Sequence, residues 1–201
     1  MGRYSLRDGK ISAEKLSVSG KVPMQYVIPK GLATSTTSIL EAWDVTATAA
    51  KDNTDLLIQP PFPVQLSVQA VEAGTAGNTD AVTVKGLNAY GELISEYIIV
   101  SSTANGINYS ENAYAKINSI QPKDAVALKS TDVNVGHRQT YIGLPYPIES
   151  TSDIIGVAVN GAYATTYVSG TTLKVEDNNV LKIPNIAANS FSIIYKTELQ
   201  E

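Results

Sequence analysis

Between Ala81 and Gln121 the chain reads as three short apolar runs separated by two polar, glycine-bearing interruptions. Val82 and Val84 alternate with Thr83 and Lys85, and this period of two places one set of side chains on one face of an extended chain. Gly86, Asn88 and Gly91 follow, residue types that tolerate turn geometry. Leu93 to Val100 then resumes with Ile94, Tyr97, Ile98 and Ile99, a β-branched and aromatic run. The two runs predict a hairpin. Asn105-Gly106 marks a second turn, and Tyr114, Ile117 and Ile120 mark a third strand that closes at Pro122. Ile117 and Ile120 are out of step with a strict alternation.

The same pattern recurs outside this stretch. Pro60, Pro61 and Pro63 surround Phe62 and lead into Val64, Leu66, Val68 and Ala70, which alternate with polar residues. Proline cannot donate to a ladder, so the prolines belong to the start of that strand and the apolar residues to a sheet interior. Earlier, Met24 to Pro29 predicts a strand closed by Pro29-Lys30-Gly31, and Trp43 anchors the start of the main core. Glu72 to Asp80 reads as a hairpin loop. Beyond the stiff segment Leu144-Pro145-Tyr146-Pro147-Ile148, Ile155, Val157 and Val159 alternate up to Asn160-Gly161, and Ala162, Ala164 and Thr166 continue on the return strand of a hairpin. Further short strands follow around the turn Asp177-Asn178-Asn179, one of them ending at Pro184.

These signals define an all-β chain: a β-sandwich or jelly-roll-like main domain over residues 41–148, preceded by an extended amino-terminal arm with its first strand (1–40). Residues 149–201 form a small carboxy-terminal β domain or a sheet that completes the sandwich. A chain of 201 residues is long enough to bury a real core.

Composition narrows the chemistry. The absence of cysteine excludes disulfides, a thiol nucleophile and cysteine-ligated metal sites. No stretch reaches the roughly 18 apolar residues of a membrane span, and the amino terminus lacks a signal-peptide core, so neither a membrane partner nor export is expected. One histidine, His137, must serve any histidine-dependent scheme; it lies in a Gly-His-Arg-Gln stretch read as a turn, and no Gly-Xaa-Ser-Xaa-Gly elbow occurs. Lys51 to Asp55 offers oxygen ligands but lacks the glycine and distal glutamate of a calcium loop. Glu92, Glu96 and Glu111 lie close in sequence, with Glu92 and Glu96 on one strand face. They read as solvated or paired with Lys85 or Lys116 rather than as a carboxylate pair for hydrolysis. The expectation is no enzyme, no catalytic or metal residue and no cofactor.

Charge is distributed unevenly. The net charge is −4, yet residues 1–21 carry Arg3, Arg7, Lys10, Lys15 and Lys21 against Asp8 and Glu14. Such an arm is a docking strap for acidic groups on a neighbouring subunit, with Arg3, Tyr4, Arg7, Lys10 and Lys15 as the interface residues, or a solvated chain end. Nucleic-acid binding needs a denser basic cluster with aromatic platforms, so no nucleic-acid partner is expected.

Gly86, Asn88, Tyr90, Gly91, Ser95, Glu96, Tyr114, Lys116 and Ile117 fall in an order that resembles a pattern of tailed-bacteriophage virion proteins. The segments PPFPVQLSVQAV and VNVGHRQTYIGLPYPI resemble its flanks, so that the likeness covers Ala42 to Ile148. The resemblance implies a decoration or cement subunit in the virion, assembled in the host cytoplasm. Its partner would be the major capsid protein, and it would form a homo-oligomer, with a trimer as one form. A tail, neck or head-fibre subunit is the alternative. A carbohydrate-binding module for host attachment is a third reading, with Trp43, Tyr163 and Tyr167 as its platforms.

Overall fold

The computed structural model describes residues 6–7, 10–11, 21–31, 33–45, 51–52, 55–56, 58–71, 80–123, 132–165, 174–175, 180–183 and 189–198. In chain order the strands are β1 (Leu6–Arg7), β2 (Lys10–Ile11), β3 (Lys21–Ile28), β4 (Ser35–Asp44), β5 (Lys51–Asp52), β6 (Val64–Ala70), β7 (Ala81–Leu87) and β8 (Leu93–Ile99). They continue with β9 (Ile107–Tyr114), β10 (Lys116–Pro122), β11 (Asp132–Gly143), β12 (Ile154–Val159), β13 (Ala162–Tyr163), β14 (Lys174–Val175), β15 (Val180–Lys182) and β16 (Phe191–Glu198). The described residues hold no α-helix; a short 3-10 helix spans Thr151–Asp153. The chain is all-β and sandwich-like, as the alternation predicts.

Three sheets do the work. The first runs β5-β10-β7-β8; the second runs β14-β15-β11-β6-β9, with β4 also on β11; the third runs β13-β12-β16-β3. One core lies between the first two sheets, with Leu66, Val68, Val133, Val135 and Trp43 meeting Val82, Val84, Ile98, Ile117 and Ile120. A second core joins the second sheet to the third, with Val64, Ile142 and Leu144 against Ile28, Val157, Phe191, Ile193 and Tyr195.

Strands β6 and β11 carry both cores. Val64, Leu66, Val68 and Ala70 share a face of β6, and all four are fully buried. The opposite face is closed too, and its polar groups are satisfied: the Ser67 hydroxyl donates to the Ser35 carbonyl at 3.1 Å and the Gln65 amide to the Glu111 carbonyl at 3.3 Å. In β11 the register with β6 slips between Arg138 and Ile142, which face Gln65 and Val64, adjacent residues of β6. This irregularity lets Val135 and Ile142, of opposite parity, both point inward.

The out-of-step pair Ile117 and Ile120 has a similar cause. The register between β10 and β7 shifts between Ile117 and Ser119, so Asn118 is an extra residue and both isoleucines turn inward, fully buried. Between β9 and β10 the chain changes sheets: Tyr114 pairs with Val64 in the second and Lys116 with Leu87 in the first. Ala115 is the corner, its N–H held by the Leu87 carbonyl at 2.8 Å.

Across the expected divisions at residues 40 and 149 the chain is stitched together. β3 pairs with β16 in unbroken register from Lys21↔Glu198 to Ile28↔Phe191, and β15 pairs with β11. Lys21 also bonds Glu149 at 2.7 Å and Asp153 at 3.0 Å, contacts that raise its pKa above the ordinary value.

Several local expectations are corrected. Gly86 lies inside β7 rather than in the turn, paired with Ile94 on one side and Ile117 on the other, and the position demands glycine because a side chain there would collide with the Lys116 carbonyl and the Tyr114 ring. His137 sits in β11, not a turn. In β12 the Asn160-Gly161 turn forms as expected, with φ of 50° and 79°. Val157 and Val159 pack against the second core as expected, but Ile154 takes the inward place and Ile155 is 48% exposed, because a bulge between Ile154 and Gly156 resets the alternation. Thr166, Asp177, Asn178, Asn179 and Pro184 lie outside the described residues.

Candidate interaction surface

The site grows from the turn between β7 and β8. The Asn88 carboxamide oxygen accepts from the N–H groups of Tyr90 (2.9 Å) and Glu92 (3.0 Å), and its amide donates to the Glu92 carboxylate at 2.8 Å. An Asx turn of this kind replaces backbone partners with side-chain ones and sets the start of β8. Gly91, at φ 83°, completes it. Glu92 therefore pairs with Asn88 rather than with a lysine.

β8 is the last strand of its sheet. Val100 N–H donates to the Asp80 carbonyl, so in the alternating ladder Ile98, Glu96 and Ile94 bond to β7 while Leu93, Ser95, Tyr97 and Ile99 turn their backbone groups outward. The same four residues also carry exposed side chains: Leu93 is 80%, Tyr97 59% and Ile99 58% exposed. The Asn108 amide caps the Ile99 carbonyl at 2.8 Å, and Lys123 lies 4.8 Å from the Tyr97 ring centre. From Leu93 to Tyr97 the edge offers backbone donors and acceptors that pair with no other strand among the described residues, beside apolar side chains.

β9 is the edge strand of the second sheet, and between the two edges runs an open groove of about 360 Å³ lined by Glu96, Tyr97, Ile99, Asn108, Tyr109 and Glu111. One Glu96 oxygen accepts from the backbone and side-chain N–H groups of Asn112; the other is buried and meets no partner of good hydrogen-bond geometry among the described residues. Burial pushes its pKa up, with the nearby Glu111 charge adding to the effect against the Asn112 bonds. On the outer face of the second sheet, Arg138 stacks 4.1 Å from the Tyr109 ring centre and 3.5 Å from that of Tyr141.

The groups considered for chemistry are dispersed. His137 is buried, its Nε2 3.0 Å from the Ala33 carbonyl and its Nδ1 2.7 Å from the Ser38 hydroxyl, an arrangement that ties β4 to β11. Trp43 is 5% exposed within the first core, so its ring offers no stacking face, whereas Tyr163 is 71% exposed on β13. Among the described residues no three His, Asp or Glu side chains gather as metal ligands. Of the five arm residues, Arg7 and Lys10 face each other across the β1–β2 pair, while Arg3, Tyr4 and Lys15 lie outside the described residues, as does Tyr167. The β8 edge is not among the sites read from the sequence: Leu93, Tyr97 and Ile99 at alternate positions mark an apolar face opposite Ile94 and Ile98, but not that the strand is the last of its sheet.

Comparisons with protein families, with curated proteins and with solved structures find no match to this chain.

Proposed function

We propose that the protein is a structural subunit of a tailed-phage particle that binds the outside of the capsid and bridges shell subunits. The observation that carries this reading is the β8 edge, where Leu93, Tyr97 and Ile99 are exposed on a strand that pairs on one side only among the described residues. Proteins that remain solitary blunt such edges with charge, proline or a covering loop, because a free edge with apolar side chains recruits another chain. Joints built this way gain affinity from backbone hydrogen bonds and selectivity from the alternate side chains. Repeated over a shell, individually weak joints add through avidity. The sequence likeness over residues 42–148 supplies the virion setting.

The test is co-sedimentation of the purified chain with capsids that lack it. Saturable binding that raises capsid resistance to heat supports the reading; no binding at any concentration overturns it and moves the protein to the tail or neck.

A further inference from the structure

Arg138 and Tyr141 are three residues apart on β11, and a regular strand would send them to opposite faces. The slip in the β11–β6 register brings them to the same one: Arg138 stands opposite Gln65, and Tyr141 comes just before Ile142, which stands opposite the inward Val64. On the outer face of the second sheet the Arg138 guanidinium therefore lies 3.5 Å from the Tyr141 ring centre and, from across β6, 4.1 Å from that of Tyr109. Lys182, paired with Tyr141 across the β11–β15 ladder, is exposed and lies 5.6 Å from the same ring centre. Contact with ring faces fixes a guanidinium without consuming its N–H groups. One terminal nitrogen has the Gln65 carboxamide oxygen at 3.5 Å. Among the described residues the ion pairs are those of Lys21, so neither Arg138 nor Lys182 has a carboxylate partner there; Glu111, two residues past Tyr109 on β9, makes no ion pair with the guanidinium.

We infer that this patch is a docking surface for another protein, and that Arg138 receives from it the side-chain carboxylate of an aspartate or glutamate, with Lys182 as the second cation. A guanidinium packed against two rings keeps its fork of N–H donors for another partner, and a carboxylate matches that fork with two parallel bonds. Tyrosine and arginine are also the residues that carry most of the binding energy where proteins meet. The surroundings disfavour other anions. A small ligand takes a concavity that covers most of it, whereas Tyr109 is 40% exposed and Lys182 stands on an open sheet face. The groove between β8 and β9 takes in Tyr109 but not Arg138, Tyr141 or Lys182. Nucleic acid needs a run of cations along its backbone and free ring faces for its bases. Here Glu111 follows on β9, and each ring already has Arg138 against it. A single carboxylate meets neither objection. The patch is separate from the β8 edge, so docking here is independent of whether that edge binds a capsid.

The test titrates the purified chain with the peptide acetyl-Gly-Glu-Gly-amide and with its glutamine counterpart, following the Arg138 Nε–H and the rings of Tyr109 and Tyr141 by NMR. The glutamate peptide binds saturably, with a Kd on the order of millimolar, and at least about tenfold more tightly than the glutamine peptide. Arg138→Gln removes the preference. Arg138→Lys keeps the charge but loses the fork, and retains no more than about a third of the affinity. Circular dichroism verifies that each variant folds. Equal binding of the two peptides overturns the inference, as does a preference that survives Arg138→Gln or is undiminished in Arg138→Lys. Inorganic phosphate, glucuronate or a single-stranded oligonucleotide that binds more tightly than the glutamate peptide overturns it too, and assigns the patch to that anion.

Discussion

Gln59 holds Ile117 from both sides: its amide oxygen accepts from the Ile117 N–H at 2.9 Å and its amide nitrogen donates to the Ile117 carbonyl at 3.0 Å. On this edge of β10 the strand β5 pairs only with Ser119 and Ile120, and the carboxamide stands in for a strand at Ile117. Gln59→Leu strips both partners from the backbone of a fully buried residue. We expect a loss of about 2 kcal/mol, read as a lower urea midpoint at unchanged slope. A change within about 0.5 kcal/mol would mean that the bulge holds itself.

Two glycines separate crowding from backbone strain. At Gly86 an added Cβ would stand 2.2 Å from the Lys116 carbonyl oxygen and 2.8 Å from the Tyr114 ring, whereas at Gly91 it meets open space but at φ 83°. Gly86→Ala forces the β7–β10 pairing apart and costs about 3 kcal/mol; Gly91→Ala costs about 1 kcal/mol. Chemical denaturation of the two variants checks the order, and an equal cost would show that the first core yields to the extra methyl.

His137 makes stability pH-dependent. Burial lowers its pKa below the ordinary 6.5, only partly countered by the Ala33 carbonyl. In the stretch between the folded and unfolded values the unfolded chain binds more protons, so stability rises with pH there. The contribution is full above the unfolded value and is lost as pH falls through the folded one. Wild-type protein therefore melts lower as pH drops from about 7.5 toward 5.5, and His137→Gln flattens this slope. A slope that survives the substitution assigns it to another group.

Glu96 has the opposite sign. Its folded pKa is raised, so what it contributes is present below the unfolded carboxylate value and is lost as pH rises through the folded one. Glu96→Gln keeps an acceptor for Asn112 and removes the buried charge. Its melting temperature should therefore gain on wild type as pH rises from about 4 to 8. A parallel pair of curves would show that Glu96 ionises freely in the groove.

The β8 edge itself is tested by charge. Leu93→Lys with Tyr97→Lys places cations on exposed positions and changes stability by no more than about 0.5 kcal/mol. Capsid co-sedimentation is lost all the same, because lysine on an edge strand discourages strand addition. Undiminished binding would move the contact to another surface.

Alternation, turn dipeptides and proline placement determined the strand content of this protein from sequence alone. Val82 to Val84, Leu93 to Ile99 and Asn160-Gly161 carry local signals that need no partner to be read. Tertiary structure decided what those signals leave open. Which strands share a sheet depends on contacts between residues far apart: β3 meets β16 across most of the chain, and β11 serves two cores. Inward positions after a bulge follow the partner strand rather than the sequence period, which is why Ile117 and Ile120 both point in and Ile155 points out. The free edge of β8 is likewise invisible in its own residues. An alternating run reads the same in the middle of a sheet or at its margin, and only the pairing of distant strands, which gives β8 the neighbour β7 and no other among the described residues, leaves the outward backbone groups of Leu93 and Tyr97 at a margin.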